Sequence, residues 1–221
     1  MSTLILHIET ATKVCSVALS LDGNLVAIKE STSDAYIHAE SLTLFIEEVF
    51  RIANLKIEHL AAVSISSGPG SYTGLRIGVS TAKGLCFGLQ IPLIQIPTLA
   101  SLMQIFSSEV PLHNLLAALD ARRMEVYSLM QAPDGKILKS LSADCVDENS
   151  YSEFDPFLCF GDATIKLKEL WANRDIIFKD EIYCSAEGQV EIAYSKFKGQ
   201  EFEDLGNFVP LYLKEFQTNL Q

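Results

Sequence analysis

The segment SSGPGSYTGLR, Ser66–Arg76, concentrates the residue types that hold phosphates: closely spaced glycines, hydroxyls and an arginine. It follows a strand-like apolar run and precedes a helical one, where a phosphate loop would lie. Its spacing departs from the known patterns. Gly74 is followed by Leu75 and Arg76 rather than by Lys-Ser/Thr, and the glycines read GxGxxxG rather than GxGxxG. The structural alternative is a tight strand-to-helix turn, with Gly68 and Gly70 in backbone conformations that other residues avoid. Ser71 and Thr73 sit in this loop, but no Ser-His-Asp arrangement follows from the spacing. His7, His38, His59 and His113 are dispersed, without HxxxH or HExxH. The 5 cysteines are odd in number and form no CxxC pair, which points to buried thiols in a reducing compartment.

The elements that position these residues occur as a pattern that repeats. Leu4–Ile8 reads as a buried strand, CSVALSL as a second, and LVAIKE, after the Asp22-Gly23-Asn24 turn, as a third. A helical pattern runs from about Asp34 to Ala53, then AAVSIS predicts a strand, GLRIGVSTAKGLCFGL a helix, PLIQI a strand and TLASLMQIF a helix. LLAALD, MEVYSLMQ and, after Asp134-Gly135, KILKSL begin the pattern again. PFLCF, TIKLKELW, DIIF and AEGQVEIAYSKF continue it as strand, helix, strand and helix. This predicts an α/β fold of duplicated βββαβα units, two ribonuclease-H-like halves of the actin, hexokinase and Hsp70 (ASKHA) superfamily. The halves divide as 1–106 and 107–221, with the boundary near Ser107–His113.

The net charge of −11 opposes unaided binding to a nucleic-acid backbone, so any RNA contact requires a partner's positive charge. MSTLILHIET has no basic flank and reaches Glu9 after a short apolar run, unlike a signal peptide. No run has the length of a membrane span. The expected location is cytoplasmic.

In the superfamily, strand-end acids and glycine turns hold metal-bound phosphates. The corresponding positions are Glu9-Thr10, Asp120-Ala121-Arg122-Arg123 and Gly161-Asp162-Ala163. The first lacks glycine, and the second has two arginines where small residues are expected. Glu9, Thr10, Gly68, Gly70, Ser71, Asp120 and Arg122 therefore form at most a degenerate nucleotide or phosphate loop. The two helices offer a different candidate surface. Gly74, Gly78, Thr81, Ala82, Leu85 and Gly88 share one side of the second helix. Spacing alone leaves open whether that side meets another protein or the chain's own core. On the first helix, Leu42, Phe45, Ile46, Val49, Phe50 and Ala53 form the core-facing stripe, while Ile37 and Leu44 point away from it.

SSGPGSYTGLRIGVSTAKGL resembles the signature of the TsaB (YeaZ) family, bacterial partner proteins in tRNA threonylcarbamoyladenosine synthesis. The resemblance covers most of the chain. LILHIETAT is similar to the family's opening strand, with Glu9 where most members have aspartate. YIHAESL is similar to its HSExL helix, and IPLIQIPTLASL to its strand-to-helix segment. LDARRMEVY is similar to its DAR hairpin, and VPLYLKEF to its PxYLR, with Lys214 for arginine.

The resemblance implies a non-catalytic relative of TsaD, the subunit that transfers threonylcarbamoyl to N6 of the adenosine at tRNA position 37. It places Thr98 and Leu102 where TsaD has its metal-binding HxxxH pair, and neither side chain replaces an imidazole. It further implies pairing with TsaD, or with a second copy when TsaD is absent, through Ile37, His38, Ser41, Leu42, Leu44, Phe45, Gly74, Leu75, Gly78, Thr81, Ala82 and Leu85. The ATPase TsaE joins the pair. No cofactor of this chain itself, no membrane contact, and tRNA contact only through the complex are expected. The alternatives from other classes are an ATP-dependent kinase of the same superfamily and, last, a metallopeptidase lacking visible ligands.

Overall fold

The computed structural model describes residues 2–32, 38–106 and 112–214. Ile37, the side chain of His38 and most of the expected boundary between the halves lie outside them. The first half carries β1 (Leu4–Glu9), β2 (Val14–Leu21), β3 (Asn24–Thr32), α1 (His38–Ala53), β4 (Leu60–Gly68), α2 (Tyr72–Leu89), β5 (Leu93–Pro97) and α3 (Thr98–Phe106). The second carries β6 (Asn114–Asp120), β7 (Glu125–Gln131), β8 (Ile137–Cys145), β9 (Phe157–Phe160), α4 (Thr164–Leu170), β10 (Ile176–Lys179) and α5 (Val190–Gly199).

LILHIE is buried along its whole length because β1 is the central strand of its sheet. The sheet order is β3-β2-β1-β4-β5, and the second sheet repeats it as β8-β7-β6-β9-β10. In both, the first three strands are antiparallel and the last two join in parallel. That is the expected duplication. One element departs from it: where α1 lies in the first half, the second has only a short 3-10 turn, Ser152–Phe154. The segment between Cys145 and Phe157 is short and rich in Asp, Asn, Ser and Pro, which favour local turns over helix propagation.

Both hairpin turns form as expected. Asp22 and Gly23 take positive φ (51° and 80°), as a primed two-residue turn requires. α1 and α2 lie side by side over the core that includes Leu6, Ile8, Val17, Val63 and Ile65. The last helix of each half crosses over. α5 packs through Ala193 on Ile5, Ala62, Ile94 and Ile96 of the first sheet, and α3 packs through Leu99, Leu102 and Phe106 on the second. Trp171 anchors the far face of the second sheet, with Nε1 donating to the Asp147 carbonyl at 2.8 Å. Four cysteines are buried, and Cys145 is exposed. No helix among the described residues is long and apolar enough to cross a membrane.

Candidate functional site

Between the halves lies a cavity of about 470 Å3, and the glycine loop forms one of its walls. Gly70, Ser71 and Tyr72 face Asp120, Ala121, Arg122 and Arg123 of the β6–β7 turn. Lys13, Asp162, Tyr212 and Lys214 also contribute to the lining. The structure thus brings four candidates together, Gly70, Ser71, Asp120 and Arg122. Glu9, Thr10 and Gly68 do not line this cavity.

The loop's own groups are engaged within the chain. Ser71 N–H donates to the Ala11 carbonyl at 2.6 Å, and a Cβ on Gly70 would stand 2.3 Å from that same oxygen. Gly68 has φ 110°, and a Cβ there would stand 2.5 Å from the Leu211 carbonyl. Ser71 caps α2 by accepting from Gly74 N–H at 3.2 Å. These glycines let three backbone segments touch. The loop is a buckle rather than a phosphate cradle.

The carboxylates of the cavity are also held. Asp120 accepts from Arg122 N–H and from Lys166, and Asp162 accepts from Asp120 N–H at 2.7 Å. Burial, with the Asp120 charge nearby, pushes the Asp162 carboxyl up to about 6. The folded chain therefore favours neutral Asp162. Its contribution is fully present near pH 4 and is lost as pH rises through about 6. Asp162→Asn retains an acceptor for Asp120 N–H. At pH 7.5 this variant is expected to be more stable than wild type by about 2–3 kcal/mol, because the buried wild-type carboxyl must ionise there. Urea melts at pH 4.5 and 7.5 test this: the difference must shrink at the lower pH.

Beneath the cavity runs a buried polar chain that the sequence did not announce. Ser64 Oγ donates to Gln189 Oε1 at 2.7 Å, so it can only accept from His7 Nδ1–H, also at 2.7 Å. That fixes the tautomer, with His7 Nε2 accepting from Ser20 Oγ–H at 2.7 Å. Burial lowers the imidazole to about 3, so it is neutral. Gln189 Nε2 donates to the Ile8 carbonyl and to Ser66 Oγ. Glu9 is fully buried; Oε1 accepts from Ala11 N–H, and Oε2 has no partner among the described residues. Burial raises this carboxyl despite that bond.

The second candidate surface needs a correction. Gly74, Leu75, Gly78 and Ala82 are buried against the chain's own sheet, as is Leu42 of α1. A Cβ on Gly78 would lie 2.2 Å from Thr10 Oγ1 and 3.0 Å from Ile65. The small-residue side is therefore an internal contact, because β1 and β4 occupy the space it leaves. Ser41, Phe45, Thr81 and Leu85 are half-buried flanks. Leu44 is outward, 60 % exposed, and Phe87 on α2 is 80 % exposed. Gly84 and Gly88, also exposed, have nothing within 4 Å of an added Cβ. Gly84 and Phe87 were not singled out from the sequence, although neither lies on the buried stripe Leu75-Val79-Ala82-Cys86.

Thr98 and Leu102 are both fully buried in the packing of α3. The Thr98 hydroxyl has no partner among the described residues.

Comparison with known proteins agrees with this architecture. YeaZ from Pseudomonas aeruginosa superimposes with a TM-score of 0.81 at 24% identity, covering 96% of this chain and 100% of that one. An activator of 2-hydroxyisocaproyl-CoA dehydratase from Clostridium difficile, with bound ADPNP, shares the fold at a TM-score of 0.51 and 12% identity, covering 92% of this chain and 99% of that one. In sequence, TsaB of Escherichia coli is 36% identical over 123 residues, 56% of this chain and 52% of that protein. TsaB of Haemophilus influenzae is 35% identical over 123 residues, 56% of this chain and 51% of that protein. The chain spans about half the length of the curated relatives it matches. The family model described as TsaD: tRNA N6-adenosine threonylcarbamoyltransferase matches residues 32–197. On that match, which takes in α1, the glycine loop, β4 and β5 of the first sheet and the whole second sheet, the chain belongs to the TsaD family.

Proposed function

We propose that this chain is a non-catalytic subunit of the bacterial machinery that makes N6-threonylcarbamoyladenosine at tRNA position 37. In this reading it docks TsaD in the cytoplasm through α1 and α2, and TsaE joins the pair. One observation supports the docking face above the others. Gly84 sits in the interior of α2 and Gly88 in its last turn, with open space beyond both. Gly84 costs about 1 kcal/mol against alanine, and nothing within 4 Å of an added methyl compensates. They flank the exposed Phe87, and the neighbouring helix presents Leu44. A bare backbone beside an aromatic anchor suits the close approach of a partner helix, over an interface of about 1,200–2,000 Å2 in total. The non-catalytic reading is supported by Thr98 and Leu102, which offer no imidazole and are sealed from solvent.

Reconstitution tests the proposal: tRNA modification by TsaD and TsaE is expected to require this chain. Leu44→Asp with Phe87→Asp is expected to weaken pairing with TsaD by 100-fold or more, about 3 kcal/mol over two anchors. Wild-type pairing by this double variant removes the docking assignment. The cavity favours a second reading, an ATP-dependent kinase. The engaged Ser71 N–H and the packed Gly70 weigh against it, and tight Mg-ATP binding by the isolated chain would restore it.

A further inference from the structure

Besides the bonds of Ser185 and Ala186 to Glu30 and Ser16, the two halves are tied at a floor and at a mouth. At the floor, Gln189 from the second half reaches Ile8, Ser64 and Ser66 of the first. At the mouth, the tie is made by residues 202–214, which follow α5 and return across the first half. Glu203 N–H donates to the Leu93 carbonyl on the edge strand β5 at 2.9 Å. Phe208 is buried in the first core, and its carbonyl accepts from Lys83 of α2 at 3.1 Å. Leu211 N–H donates to the Ser67 carbonyl at 2.6 Å, and Tyr212 packs on Tyr72 with ring centroids 4.9 Å apart. This strap thus grips β5, the glycine loop and the first turn of α2.

Its last described residue then leaves the first half. Lys214 Nζ donates to the Ala121 carbonyl at 3.0 Å and pairs with the Glu125 carboxylate, both at the β6–β7 hairpin. Leu211, Tyr212 and Lys214 line the cavity on one side, and Arg122, Glu125 and Tyr127 line it on the other. We propose that Lys214 is a latch: it holds the cavity mouth closed and couples movement of the β6–β7 hairpin to the strap and the N-terminal turn of α2. The geometry favours this over a static clamp because the two levels differ in kind. The floor is a fully buried neutral network, whereas the Lys214 tie is a partly exposed ammonium, which water can replace far more readily than the buried amide. The coupling concerns α2 within this chain, so it stands whether or not α2 docks a partner.

Amide hydrogen exchange on the full chain tests it. Lys214→Met keeps the side chain's length and removes its charge. Peptides covering 202–214 and 68–75 are expected to exchange about ten-fold faster than in wild type, the loss of one charge-assisted tie. Peptides covering β1, β4 and 186–190 are expected to be unchanged. Unchanged exchange in the strap overturns the latch. Should Lys214→Met loosen the floor as well, Glu125→Gln decides, because it retains the Ala121 bond: selective loosening of the strap and 68–75 upholds the latch, and any other pattern overturns it.

Discussion

A Gly78→Leu chain is expected to melt at least 6 °C below wild type, the consequence of losing about 3 kcal/mol or more in a chain of this size. The reason is spatial. A single Cβ at this position already lies 2.2 Å from Thr10 Oγ1, whose hydroxyl donates to the Gly74 carbonyl at 2.9 Å and fixes the helix on the strand end. Leucine would have to push α2 off β1 and β4, opening the core around Ile65 and Val79. Gly84→Ala is the counterpart on the opposite side of the same helix. Nothing lies within 4 Å of its added methyl, so the variant is expected to gain about 1 kcal/mol in the isolated chain. Thermal melts by circular dichroism compare the three proteins. If Gly78→Leu melts with wild type, α2 is not sealed on the sheet as described.

The second large effect is expected at Gln189. Gln189→Leu keeps the side chain's approximate bulk but leaves the Ser64 hydroxyl without its acceptor and the Ile8 carbonyl without one of its donors. Because Ser64 also sets the His7 tautomer, the chain through to Ser20 loses its fixed direction. A loss of about 1–3 kcal/mol is expected from the buried Ser64 hydroxyl left unsatisfied, since the Ile8 carbonyl keeps the Ser66 hydroxyl as a donor. Denaturant unfolding measures it, and Gln189→Glu at low pH provides the conservative comparison. A Leu variant as stable as wild type would show that the halves are not joined through this network.

Much of the architecture was legible because it is written in local patterns. Apolar runs, the Asp22-Gly23 and Asp134-Gly135 turns and the Leu42-Ile46-Val49 stripe each depend on near neighbours in sequence. The side of α2 that faces inward was not legible. Gly74, Gly78 and Ala82 read equally well as a docking face or a core contact, and what decides is the distance to Thr10 and Ile65, set by β1–β4 pairing. Gln189 carried no signal at all, since one amide near a helix start resembles any surface residue until the other half closes over it. VPLYLKEF stood out as a motif, yet its path across Ser67, Tyr72 and the β6–β7 hairpin depends on tertiary contacts alone. The missing helix of the second half was foreshadowed by loop length and by its turn-forming residues.

The cysteine set has a practical consequence at the bench. Burial pushes Cys15 and Cys86 up to about 11, and raises Cys159 and Cys184 further, so these four thiols are both shielded and protonated at neutral pH. Cys145, at the outer end of β8, alone is open to reagent. A maleimide fluorophore therefore attaches at one defined position on the unmodified wild-type chain, far in sequence from α1 and α2, and reports assembly without engineering.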